Sequence, residues 1–218
     1  MIDLHVCELP VDYQAVQDLL PSLWKEHQPQ ATGTPLSPSS RKSFMSTRAQ
    51  QEKCTCSKIV LSNSTEIRGY LHEQLAVHVG VSGIATSVTL EQCGHNKGYT
   101  RLDNRSFCPA SHCCKENGPD CIKSVIDMDT VCKRVNGSNV GITVSVSKDA
   151  GRYLCDYTYY TSLHQGQGCS AFVHMPPLGG PYSSEELGRG LQAVVKEMLN
   201  LLEVDYSEWG KRQQTLPS

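Results

Sequence analysis

The sequence predicts an α/β protein, a three-layer α/β/α sandwich around a mainly parallel central sheet. Three observations carry this. Leu75-Ala76-Val77-His78-Val79-Gly80-Val81 is a near-continuous apolar run, the pattern of a strand covered on both faces. Leu187, Leu191, Val194, Val195, Met198 and Leu202 form a long helical stripe that needs a sheet to pack on. Between them, the β-branched series Val140, Ile142, Val144 and Val146 runs into a turn and a helix, and a further strand follows at Ala171-Phe172-Val173. Strands alternating with helices give a layered sheet rather than a barrel or bundle. A chain of 218 residues supports one such domain with a substantial core.

In chain order, Ile2, Leu4 and Val6 alternate with polar residues and read as a strand. Asp12 caps a helix whose apolar face is Tyr13, Val16, Leu19, Leu20 and Leu23, with Pro21 expected to kink or restart it. Residues 31–74 form an insert rich in Ser, Thr, Pro and Gln, a disordered or poorly packed composition in which Lys58-Ile59-Val60-Leu61 is the strand-like piece. Thr34-Pro35 and Ser37-Pro38 are candidate proline-directed phosphorylation sites, against the plainer reading of ordinary loop dipeptides. The basic residues Arg41, Lys42, Arg48, Lys53 and Lys58 read as a solvated loop, since no aromatic side chains interleave to stack on bases. After the Leu75 strand and a small-residue turn, Val88 and Leu90 lead to Glu91 at a strand edge. The stretch from Ile122 to Val131 is compatible with a helix. Ser183 and Glu186 stand at capping-box spacing and start the last helix, which is expected to end near Glu203, with 205–218 a frayed tail.

Composition excludes several classes of function. A formal net charge of −2 gives no global attraction to nucleic acid or anionic membrane. No apolar run reaches membrane-spanning length. MIDLHVCELP has neither a basic n-region nor an apolar h-region, so no signal peptide is expected. Eleven cysteines then read as reduced thiols in a cytoplasmic protein, and the three N-x-S/T sequons carry no meaning there. The cluster Cys108-x4-Cys113-Cys114-x6-Cys121 lacks paired C-x2-C knuckles, so no metal and no cofactor are expected.

The stretch from Asp149 to Pro177 holds the candidate chemistry. Asp149 reads as the N-cap of a helix carrying Cys155, whose N-terminal position favours a thiolate. His174 follows on the apolar strand that Pro176-Pro177 ends. A packed thiol and a satisfied core histidine would show the same pattern, so spacing alone leaves both readings open. Glu91 at a third strand end tilts the balance, because ligand sites in such folds lie beyond the carboxyl ends of the strands.

The blocks DLHVCELPVDYQAVQDLLPSLWKEHQPQ, LAVHVGVSGIATSVTLEQCGHNKGY, DAGRYLCDYTYYTSL and SAFVHMPPLGGPYSSEELGRGL resemble the pyroglutamyl peptidase I family, the pyrrolidone carboxyl peptidases, with its vertebrate I-like branch nearest. The resemblance implies a cysteine omega peptidase acting on peptides with an N-terminal pyroglutamate. It implies Cys155 as nucleophile, His174 as base and Glu91 as the carboxylate that orients the imidazole. It also implies that Val81, Ser82, Gly83 and Leu154 line the lactam pocket and that Arg101 lies near the oxyanion. Family members carry a first strand and a Gly-Phe-Gly-Pro-Phe type loop ahead of the block that opens this chain, so both are expected to be absent, with Lys58–Leu61 a candidate partial replacement for the strand. The alternative expectation is a catalytically impaired relative or interaction protein on the same scaffold. Oligomeric state is not readable from the sequence.

Overall fold

The computed structural model describes residues 2–26, 56–63 and 74–214. The two candidate phosphorylation sites and the basic residues between Arg41 and Lys53 lie outside the described residues. In chain order the elements are β1 (Ile2–Leu9), α1 (Tyr13–Glu26), β2 (Cys56–Asn63), β3 (Gln74–Val81), β4 (Val88–Glu91), β5 (Cys93–His95), β6 (Cys121–Lys123), α2 (Met128–Gly137), β7 (Val144–Ser147), α3 (Leu154–Gln165), β8 (Ser170–Met175) and α4 (Ser184–Gln214).

Six strands form one sheet in the order β1-β2-β3-β8-β4-β7, and β5 pairs with β6 in a separate two-stranded ribbon. The three-layer architecture is present, with a sheet of mixed direction. Pairs β3/β8 and β4/β7 are parallel, whereas β1/β2, β2/β3 and β4/β8 are antiparallel. Two connections explain the mixture. The short link from Val81 to Val88 cannot make a parallel crossover, so β4 runs back against β3 and against the β8 that lies between them. The other is β2, which comes from the 31–74 stretch and pairs along its length with both neighbours, Val60 facing His5 on one side and Ala76 on the other.

Strand alternation sorts the core into two layers. Leu75, Val77, Val88, Leu90, Val144, Ala171 and Val173 face α2 and α4, where Val131, Val135, Val194 and Met198 complete a buried cluster. The opposite face is covered by α1 and α3. Tyr13, Val16 and Leu20 of α1 meet Tyr99, Leu154 and Tyr157, with Tyr13 and Tyr157 edge to face at 4.8 Å. Leu19, assigned to this apolar face by its spacing, is 39% exposed instead. Helix α1 runs through Pro21 without interruption, and beyond it Trp24 Nε1 donates to Ser162 Oγ of α3 at 3.1 Å.

Helix termini follow local chemistry. Asp12 Oδ1 accepts from Ala15 N at 3.0 Å, as expected of a cap. Ser183 and Glu186 make the reciprocal capping box, with Ser183 N donating to Glu186 Oε2 at 2.8 Å and Glu186 N donating to Ser183 Oγ at 3.2 Å. Helix α4 continues past Glu203 to Gln214, since no proline interrupts this stretch and it closes on the good helix formers Lys211-Arg212-Gln213-Gln214. The stretch expected as a helix from Ile122 is divided. Cys121–Lys123 is strand β6, and helix α2 starts only after Asp127, whose carboxylate accepts from Asp129 N and Thr130 N.

Candidate active site

Four elements converge on the α3 face of the sheet. On β8, the residues alternating with Ala171 and Val173 are Phe172 and His174, and both point toward α3. On β4, Glu91 takes the same face, opposite Phe172 in the antiparallel register, while Thr89 is opposite His174. This diagonal offset lets Glu91 reach along the sheet, and His174 Nδ1–H donates to Glu91 Oε1 at 2.8 Å. Both residues are buried, at 2% and 8% exposure, so water barely screens the pair. With Nδ1 facing a carboxylate, the proton sits there and Nε2 is left for other work. Glu91 is held from the backbone too, since its carbonyl accepts from the buried Tyr159 hydroxyl at 2.8 Å. Glu91 Oε2 is buried with no hydrogen-bond partner among the described residues, a cost that folding alone does not reward.

Cys155 is the second residue of α3 and packs with Tyr159, Leu163 and Phe172. It lies over β3 at Gly80, where a Cβ would stand 3.3 Å from Cys155 Sγ and 2.9 Å from Phe172 Cζ. Gly80 is the register partner of His174 across the parallel β3/β8 pair. The thiol and the imidazole therefore share one face at adjacent strands, which are about 4.8 Å apart. The rings of Phe172 and His174 are 4.7 Å apart, which fills the space beneath them. Glu91 is the last residue of β4 and His174 the last but one of β8, so both stand near strand carboxyl ends as expected, but these ends do not form one edge of the sheet. Because β4 is antiparallel to β8, their carboxyl ends lie at opposite ends of the sheet, and the three meet on a face instead.

The turn ahead of α3 differs from the expected cap. Tyr153, not Asp149, is the N-cap residue and makes no side-chain cap bond. Asp149 instead accepts from Gly151 N at 3.0 Å and from Arg152 Nη1 at 2.5 Å. Burial pushes the Asp149 carboxyl up, but these two partners prevail and hold it below its ordinary value. Gly151 has φ +83°, a left-handed conformation that glycine adopts without strain, so this turn accepts no other residue cheaply. Asp156, next to Cys155, is fully buried and takes bonds from the Tyr99 hydroxyl at 3.0 Å, Arg152 Nη1 at 3.2 Å and His95 N at 3.2 Å. These fix the first turn of α3. Burial pushes the Asp156 carboxyl up to about 6, against the pull of Tyr99 and Arg152.

The proposed lactam-pocket residues divide. Val81 pairs with Met175 just past His174, and Ser82 N donates to Met175 O at 2.9 Å, so the turn with Gly83 borders the His174 strand end. Leu154 packs instead into the tyrosine cluster of α1 and α3. Arg101 stacks its guanidinium 4.2 Å above the Tyr153 ring. A cleft of about 250 Å³ lined by Gln17, Cys114, Tyr157, Tyr160 and His164 lies on the outer side of α3 and includes neither Cys155 nor His174. Sequence reasoning missed Gly80, Phe172 and Tyr159, which seat the three polar groups. Their roles depend on register, which no spacing in the chain reveals.

Other thiols are set apart by their surroundings. Burial pushes Cys169 up to about 12, and burial together with the Cys121 thiol does the same for Cys93, which leaves both protonated at neutral pH.

Residues 59–186 match the model of the family described as pyroglutamyl peptidase. The chain is 50% identical over 202 residues to pyroglutamyl-peptidase 1 of Mus musculus, covering 93% of this chain and 76% of the mouse protein. It is 36% identical over 199 residues to the Homo sapiens pyroglutamyl-peptidase 1-like protein, covering 91% and 78%. Of these two branches the first is nearer in identity, where the sequence blocks pointed to the second. The fold is shared with pyrrolidone carboxyl peptidase from Thermococcus litoralis, at a TM-score of 0.54 and 21% identity over 59% of this chain and 67% of that one. With half of the 202 aligned residues identical to the mouse protein and the family model covering strands β3 to β8, the chain belongs to the pyroglutamyl peptidase family.

Proposed function

We propose that this chain removes N-terminal pyroglutamate from peptides with Cys155 as nucleophile, His174 as general base and acid, and Glu91 as the group that orients and charges the imidazole. The observation that carries the assignment is the buried 2.8 Å bond from His174 Nδ1 to Glu91 Oε1 on the face where Cys155 packs. In this reading, His174 Nε2 takes the thiol proton and the thiolate attacks the pyroglutamyl carbonyl carbon. The tetrahedral oxyanion forms at the opening turn of α3, where backbone N–H groups and the helix dipole favour negative charge. As it collapses, the C–N bond breaks, and the imidazolium gives its proton to the leaving amine. Water, deprotonated by His174, then hydrolyses the thioester and returns the free thiol. The buried Glu91 carboxylate stabilises the imidazolium that appears twice in this cycle. The turn Val81-Ser82-Gly83 borders the lactam pocket, and Arg101 supports the start of α3 through Tyr153. A cytoplasmic location fits a chain of eleven cysteines read as reduced thiols. No helix among the described residues is long and apolar enough to cross a membrane.

The test is release of a fluorophore from a pyroglutamyl amide by the purified chain beside its Cys155→Ala variant. Turnover by the parent alone is expected. Equal signal from both proteins would remove the assignment, and a well-folded parent with no turnover would favour an impaired relative.

A further inference from the structure

Cys93, His95 and Cys121 form a cluster that the proposed reaction does not use. We propose that they bind one thiophilic divalent cation of the zinc class, the Cys93 and Cys121 thiol protons passing to solvent as the metal–sulfur bonds form. Cys93 and His95 are two apart on β5, so their side chains leave the strand on one side. In the antiparallel β5/β6 register Cys121 is directly opposite His95, and Cys93 is opposite Lys123, which places Cys121 on the diagonal from Cys93. The two sulfurs and one ring nitrogen of His95 all lie within 4.8 Å of one another. Tetrahedral zinc with bonds of about 2.0–2.3 Å has ligand–ligand edges of about 3.3–3.8 Å, so closing the triangle takes roughly 1 Å of side-chain rotation.

A further observation points to a cation. His95 Nδ1 is shielded from solvent and has no hydrogen-bond partner among the described residues, so one ring nitrogen of the cluster's histidine is left unsatisfied. The buried Asp156 carboxylate, which also pairs with Arg152 at 3.2 Å, stands 3.7 Å from that nitrogen, beyond hydrogen-bond reach. The backbone of the site is rigid as well. Gly94 presses β5 onto α3, and a Cβ there would stand 2.8 Å from Tyr160 N. Two sulfurs and an imidazole select a soft or borderline ion over calcium or magnesium. Three protein ligands leave a fourth position for water, on the side where Cys121 is exposed. Spacing in the sequence argues against such a site because no C-x2-C knuckle is present. Strand pairing, not a knuckle, supplies the proximity.

The probe is zinc, and cobalt in its place for spectroscopy, added to the reduced full chain and followed by desalting and metal analysis. One equivalent per chain is expected, with near-ultraviolet sulfur-to-cobalt absorption. Cys121→Ser, at an exposed strand position, is expected to weaken binding at least tenfold and to remove part of that absorption, and Cys93→Ser to do the same. Cys155→Ala is expected to retain the full equivalent. No retained metal in the parent would overturn the proposal. So would unchanged binding in Cys121→Ser, or loss of binding in Cys155→Ala, which would put the ion on the other thiol.

Discussion

Gly80→Ala tests the seating of the site with a single methyl group. The added Cβ would stand 2.9 and 3.1 Å from Phe172 Cζ and Cε1 and 3.3 Å from Cys155 Sγ. Ordinary carbon contacts are about 3.5–4.0 Å, so the phenyl ring must move by roughly 0.5–1 Å. It has little room. Phe172 is fully buried, with Tyr159 at 5.9 Å, His78 stacked at 6.2 Å and His174 at 4.7 Å between ring centroids. Overpacking of this kind costs about 1–3 kcal/mol, and the smaller unfolded-state entropy of alanine returns about 0.4–1 kcal/mol. The net expectation is about 1–2 kcal/mol of lost stability, read as a lower melting temperature by about 2–4 °C per kcal/mol. Because Phe172 supports His174 and the methyl also touches Cys155, displacement of either group by up to about 1 Å would lower kcat/KM by up to about 10²-fold. Gly188→Ala is the matched control. Its Cβ meets nothing within 4 Å on the exposed side of α4, so it should stabilise by about 0.5–1 kcal/mol and leave turnover alone. A Gly80→Ala protein with parental melting temperature and parental kcat/KM would refute the packing argument.

Glu91→Gln keeps an acceptor near His174 Nδ1 but removes the charge that stabilises the imidazolium, so kcat is expected to fall by about 10²–10⁴-fold. Stability should change by less than about 2 kcal/mol, since the buried Oε2 has no bond to lose, and undiminished kcat would count against the assigned role. Burial pushes the Asp103 carboxyl up, but backbone N–H groups of Tyr13, Phe107 and Arg105 at 2.8–3.0 Å outweigh it and hold its pKa below the ordinary value. Its stabilisation is present above the unfolded carboxyl pKa of about 3.9 and is lost as pH falls through the lower folded value. Asp103→Asn should therefore cost about 2 kcal/mol in urea melts at pH 7, shrinking toward zero on acidification. A cost independent of pH would show that the charge is irrelevant. Asp127→Ala removes the cap of α2, bonded to Asp129 N at 3.1 Å and Thr130 N at 3.3 Å, and should destabilise by about 1 kcal/mol. An unchanged unfolding midpoint would mean that α2 is held by packing alone.

Along the chain, only features under local rules can be read directly. Capping at Asp12 and at Ser183 with Glu186, the strand at Leu75–Val81 and the α4 stripe are set by residues within a few positions of one another, and they stand where read. Glu91, Cys155 and His174 were legible as candidates because their residue types and strand-edge positions are local facts. How they come to share one face depends on strand direction and register. Antiparallel β4 turns Glu91 back along the sheet to His174, and Gly80 in register with His174 admits the thiol. Helix α3 has polar residues all round it and no apolar stripe, yet is buried nearly throughout, because its tyrosine hydroxyls and Asp156 find partners on β4, β5 and distant loops. The same holds for the thiols. Cys93 and Cys121 look unrelated along the chain, and strand pairing brings them together beside His95. Register and strand direction arise from long-range pairing, where one residue of slip exchanges the two faces, and no short stretch of sequence encodes that choice.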